Sequence, residues 1–169
     1  DNIAPCIFGG ITLVKSSHPL DIIPLSSPNL FVTAVHPQVE VKTSDARQIL
    51  KKNIRLKDAV QQWGNIAGLV TGILKDDFAL IGRSLNDVIV EPVRSILIPG
   101  FDLIKSKSLE LGALGGGISG SGPSVFMLSE TKETADKIAG MMKSEYAELG
   151  VDSFVYVSKI NDKGIKIIK

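Results

Sequence analysis

Gly115-Gly116-Gly117-Ile118-Ser119-Gly120-Ser121-Gly122-Pro123-Ser124 packs five glycines and three serines into ten residues. Glycine loses more backbone freedom on ordering than any other residue, so such a run is costly unless a tight turn or a close ligand requires it. The flanking residues read as two strands, Ala113 to Ile118 and Ser124 to Leu128, joined through Gly120-Ser121-Gly122-Pro123. Two readings fit that joint. One is a hairpin turn that needs positive φ. The other is a concavity of successive amides and Ser hydroxyls that holds an anion. No Gly-Lys-Ser/Thr follows, which excludes a P-loop, and a strand rather than a helix comes next, which excludes the dinucleotide fingerprint.

Toward the C-terminus, Lys132 to Leu149 has helical spacing, with Ala135, Ile138, Ala139, Met142 and Tyr146 on one face. Thr131 offers an N-cap hydroxyl and Gly150 a stop. Phe154 to Val157 reads as a strand, and Lys163-Gly164 is expected to turn it back into a further strand at Ile165 to Ile167. Toward the N-terminus, Leu30 to Val35 reads as a buried strand stopped by Pro37. A helix over Leu56 to Val70 carries Leu56, Ala59, Val60, Trp63, Ile66, Ala67 and Val70 as an apolar stripe, with Trp63 expected in the core. Three further helices are expected. One runs from about Asp76 through Leu85, a short one has Pro92 in its first turn, and one covers Phe101 to Leu111 with Gly112 past its end. From residue 30 the order is strand, helices, strand, strand, helix, strand. That is an α+β, ferredoxin-like split βαβ sandwich with extra helices in the first crossover.

The first residues are different. Ile11 to Val14 reads as a strand that needs a neighbour from another sheet. Ser16 to Asn29, rich in Ser and Pro, reads as a connector with at most an edge strand near Ile22-Ile23. The expected division is 1–27, a remnant of a preceding domain with its connector, and 28–169, the split βαβ domain. The chain starts Asp1-Asn2-Ile3-Ala4 without Met, so a truncated enzyme is the expectation.

Composition narrows the function classes. Lys plus Arg is 19 against 18 for Asp plus Glu, so no basic excess points to nucleic acid or an anionic membrane. No apolar run reaches the roughly 20 residues of a membrane span. A single cysteine, Cys6, excludes an internal disulfide framework and fits a reducing compartment, so a cytoplasmic protein is expected. His18 and His36 stand alone, without metal-ligand spacing, and no metal site is expected in this chain.

Gly117-Ile118-Ser119-Gly120-Ser121-Gly122-Pro123 resembles the third conserved motif of the GHMP kinases, the superfamily of galactokinase, homoserine kinase and mevalonate kinase. Further stretches resemble the homoserine kinases within it. They are Asp1-Asn2-Ile3-Ala4-Pro5 with Gly9-Gly10, Val35-His36-Pro37 with Thr43-Ser44-Asp45-Ala46-Arg47, and Asp87 to Arg94 continuing through Leu97-Ile98-Pro99-Gly100-Phe101. Together they cover nearly the whole chain in order. The resemblance implies an ATP-dependent kinase, with Mg²⁺ as cofactor, that phosphorylates the hydroxyl of L-homoserine in threonine biosynthesis. It also implies that the half holding the ATP loop and the Mg²⁺ carboxylate is absent here, so the chain alone is expected to be inactive. A homodimer is expected as well, because the first strand would expose an apolar edge.

The resemblance assigns Asn2, Thr43, Arg47 and Arg94 to the substrate, and Gly117, Ser119, Gly120, Ser121 and Gly122 to a loop near the transferring phosphate. It assigns no catalytic base, since phosphoryl transfer rests on positioning and charge stabilisation. A guanidinium suits a substrate carboxylate better than an ammonium does, because it pairs bidentately. Each residue also has a plain structural reading: Thr43 as a helix N-cap, Arg47 as an exposed helical residue, Arg94 as the partner of Glu91 at i, i+3, and Asn2 (with Asp1) as a frayed end. Another GHMP acceptor, or a non-enzymatic ferredoxin-like binding or dimerisation module, are the alternatives.

Overall fold

The computed structural model describes residues 3–168. Four strands form an antiparallel sheet: β3 (Phe31–Pro37), β4 (Gly115–Ile118), β5 (Val125–Ser129) and β6 (Ser153–Lys159), in the order β4-β5-β3-β6. The first strand of the split βαβ unit thus lies between its third and fourth, which is the ferredoxin-like arrangement the strand order implied. Register is set with Val35 opposite both Val125 and Val155. Val35, Val125 and Met127 point to one face, where the helices α6 (Phe101–Glu110) and α7 (Lys132–Glu148) cover them with Phe101, Ile104, Ile138, Met142 and Tyr146. The α7 cap forms as read, with the Thr131 hydroxyl accepting from the Thr134 amide at 3.1 Å. Gly112 and Gly150 close α6 and α7 at φ 97° and 69°, values that favour glycine.

On the opposite face, Leu30, Val32, Phe126 and Leu128 pack under α3 (Leu56–Lys75) and α4 (Phe78–Ser84), which contribute Leu69, Ile73 and Ile81. Helix α3 outruns its expected end by five residues, reaching Lys75 rather than Val70. The side of α3 turned inward carries Ala59, Gln62, Asn65, Leu69 and Ile73, and most of the stripe read from sequence lies off that side: Leu56, Val60 and Trp63 are 73%, 55% and 61% exposed, so Trp63 is not a core residue. Tertiary placement decides this, because periodicity finds an apolar face without saying what meets it.

Two further expectations are corrected. Ser16 to Asn29 is largely not a connector, because β1 (Ile11–Ser17) and β2 (Leu20–Leu25) form an antiparallel hairpin pairing Leu13 with Ile23. No strand returns at Ile165 to Ile167. That segment instead lies along the short helix α1 (Ile3–Phe8), with the Ile165 amide donating to Ile7 O at 3.3 Å. Among the described residues no helix is long and apolar enough to cross a membrane.

Tyr146 is fully buried, its hydroxyl has no partner among the described residues, and burial pushes its pKa up to about 12. An unpaired buried hydroxyl costs stability, so Tyr146→Phe is expected to raise stability by about 1 kcal/mol at neutral pH. The pH dependence follows. The unfolded tyrosine releases its proton near pH 10, while the folded one holds it to about 12. Stability therefore falls between those values by up to about 1.4 kcal/mol per pH unit, and the phenylalanine variant lacks that loss. Thermal melts at pH 8 and pH 11 check both effects.

Candidate active site

The turn of the glycine loop sits at the end of β4. The Gly122 amide donates to Ser119 O at 3.1 Å and the Ser119 amide to Ser124 O at 2.8 Å, leaving Gly120 and Ser121 at the centre of the turn. Gly120 and Gly122 take φ of 63° and 88°, so the turn needs the positive φ that the hairpin reading expects.

Three elements converge on this turn. The short helix α2 (Thr43–Gln48) brings Thr43, whose hydroxyl lies 3.4 Å from that of Ser121. Thr43 is not the N-cap of α2. Lys42 takes that position without a side-chain cap, which leaves the threonine hydroxyl for the loop. The helix α5 (Glu91–Arg94) brings Arg94, whose Nε donates to Ala46 O at 3.1 Å and whose Nη1 donates to Gly120 O at 2.9 Å. Strand β3 brings His36, with Nδ1 2.8 Å from Ser124 Oγ. Arg47 lies one turn beyond Thr43 on α2, with its side chain exposed. Asn2 and Asp1 lie outside the described residues.

The pair read for Glu91 and Arg94 does not form. Glu91 pairs instead with Lys105 of α6, and Arg94 spends two donors on backbone carbonyls. Burial pushes the Glu91 carboxyl above the usual carboxylate range, against the pull of the Lys105 ammonium. Arg94 and Gly120 border a cleft of about 260 Å³ that also takes Gln62 and Asn65 from α3 and Asp87 and Glu91 from the opposite wall. Gln62 Oε1 accepts from the Val88 amide at 3.0 Å, and Asn65 Nδ2 donates to Asn86 O at 2.6 Å. These polar positions on the inner side of α3 were not singled out from sequence. They lie off the apolar stripe, so hydrophobic periodicity gives no signal for them. A larger groove, about 970 Å³, opens between α1, β1 and the sheet, but its walls are mainly apolar and it lacks the glycine loop. Among the described residues no three His, Cys, Asp or Glu side chains converge as a metal requires.

Residues 69–148 match the family model of the GHMP kinases C terminal, so the ferredoxin-like sheet with its glycine-rich turn is a GHMP kinase C-terminal domain. Within that class its relatives are homoserine kinases. It is 48% identical over 171 residues to the homoserine kinase of Chlorobium phaeobacteroides, covering 99% of this chain and 53% of the relative. It is 35% identical over 173 residues to the homoserine kinase of Arabidopsis thaliana, covering 99% of this chain and 47% of that one. The crystal structure of homoserine kinase from Cytophaga hutchinsonii superposes with a TM-score of 0.95 at 54% identity, covering 98% of this chain and 53% of that chain. The chain spans about half the length of the curated relatives it matches.

Proposed function

We propose that this chain supplies the acceptor side of a kinase that transfers the terminal phosphoryl group of ATP to the side-chain hydroxyl of L-homoserine, a step of threonine biosynthesis in the cytoplasm. The observation that carries the reading is the brace of Thr43 and Arg94 on the Gly120–Ser121 turn, in a chain so similar to homoserine kinases along its whole length. The division at 1–27 and 28–169 is part of the proposal, as is a nucleotide-binding half beyond these residues. Without that half the 169-residue chain does not turn over ATP.

The roles follow from chemistry. Homoserine presents a carboxylate, an ammonium and a hydroxyl. Arg47, exposed on α2, and the remaining donors of Arg94 pair with the carboxylate. Asn2 takes the ammonium through its side-chain oxygen. Thr43 and Ser121, already in contact, set the height of the substrate hydroxyl over the loop. Gly117, Ser119, Gly120, Ser121 and Gly122 let backbone approach the phosphate without side chains intervening. No side chain is assigned as a base, because positioning and charge stabilisation dominate phosphoryl transfer. Mg²⁺, which neutralises phosphate charge when bound, does not fit the described residues, which bring no such ligand set together, so its ligands are assigned to the nucleotide-binding half. A homodimer belongs to the same reading, supported by β6, an edge strand with Phe154 and Tyr156 exposed.

The test is ATP consumption by the longer chain with L-homoserine, mevalonate and shikimate in parallel. Consumption that requires homoserine supports the proposal, and consumption only with another acceptor overturns the roles given to Arg47, Arg94 and Thr43. Arg47→Ala is expected to raise the KM for homoserine about tenfold to a hundredfold, the range for losing one hydrogen bond between charged groups. The melting temperature stays unchanged, since the side chain is exposed. Steady-state kinetics beside a thermal melt check this.

A further inference from the structure

Helix α5 has four residues, too few to be stable by itself, and it lies between the glycine loop and α6. Side chains one turn apart tie down its two ends. At its start, Glu91 Oε1 accepts from Lys105 Nζ on α6, and both side chains are largely buried, at 13% and 17% exposure. At its end, Arg94 reaches Gly120 O and Ala46 O. The other Glu91 oxygen, Oε2, lies 2.6 Å from where a Cβ on Gly117 would stand, a separation no real Cβ tolerates. A side chain at 117 would have to displace this carboxylate, the tip of a flexible side chain that Lys105 holds in place.

Around this carboxylate, Asp87 precedes α5 and is engaged with the Ile89 and Val90 amides at 2.8 Å, so it supports the helix start. Lys105 also lies 5.8 Å from the ring centre of Phe101, a core residue, which anchors the ammonium to the body of the domain.

We propose that Glu91 is a positioning residue for the acceptor site: clamped between Lys105 and the bare backbone of Gly117, it makes α5 a strut that sets Arg94 and the turn at Gly120 relative to α2. The inference rests on the acceptor-side reading above, and it adds a residue that acts through Arg94 and the loop without touching the substrate.

The test uses the longer chain. Glu91→Ala is expected to raise the KM for homoserine at least tenfold while the KM for ATP stays within twofold. Glu91→Gln, which keeps an oxygen for Lys105, restores most of that loss. Gly117→Ala is expected to impair the enzyme, and combining it with Glu91→Asp, which shortens the carboxylate by one methylene, recovers at least part of the activity lost. Additive effects of those two changes, or a fall in melting temperature with the homoserine KM unmoved, overturn the proposal. Amide hydrogen exchange over residues 116–122 decides it independently of the acceptor. Exchange at least tenfold faster in Glu91→Ala supports the strut, and unchanged exchange refutes it. Failure of the wild type to use homoserine overturns the kinase reading alone, and the exchange result still stands.

Discussion

Arg94→Ala, made in a longer chain with the nucleotide-binding half, lowers kcat/KM for L-homoserine by about a thousandfold. Two hydrogen bonds from a charged donor are lost, to Gly120 O and Ala46 O, each worth about 2 kcal/mol, and together they amount to roughly three factors of ten. The two bonds join elements that nothing in the local sequence joins, namely the turn and α2. Losing them separates Thr43 and Arg47 from the phosphate loop as well as removing a partner for the substrate carboxylate. Arg94→Lys should recover little, because an ammonium cannot span both carbonyls from one planar fork. A loss below tenfold in steady-state assays contradicts this role.

The largest effect on folding is expected at Gly116. A Cβ there would lie 2.0 Å from Phe126 O and 2.6 Å from Met127 Sδ, in the middle of the β4–β5 pairing. Backbone on the neighbouring strand cannot give way without breaking that ladder. Gly116→Ala is therefore expected to cost more than about 3 kcal/mol, beyond ordinary overpacking, and to leave the protein insoluble or melting at least about 10 °C lower. Gly140 is the control. It lies on α7 with no atom within 4 Å of its added Cβ, and Gly140→Ala should stabilise the helix by up to about 1 kcal/mol. Equal melting temperatures for the two variants would refute the packing argument.

The features legible in sequence were those set by local chemistry. Helix α7 was readable at both ends because Thr131 caps it and Gly150 stops it, and β4 and β5 because a glycine turn separates two apolar runs. The strand order then led to the sheet topology. Trp63 departs from expectation because amphipathic spacing identifies a face but not its neighbour, and α3 turns inward the side that carries Gln62, Asn65, Leu69 and Ile73. The hairpin β1–β2 was hidden by Ser16, Ser17 and Pro19, which mark a two-strand turn as readily as a connector. In the candidate site, the partners of the named residues are not legible in sequence. Thr43 and Ser121 are 78 residues apart in sequence, and Arg94 and Gly120 are 26 apart. Glu91 was placed with its helical neighbour Arg94, the only partner local spacing offers, while its real partner Lys105 is on another helix.

Phosphorus NMR of the longer chain with ATP and L-homoserine tests the central claim most directly. The account predicts a phosphomonoester resonance that grows in step with ADP and is lost in Arg94→Ala. Inorganic phosphate growing with ADP and no ester, or an ester signal undiminished in Arg94→Ala, would contradict it.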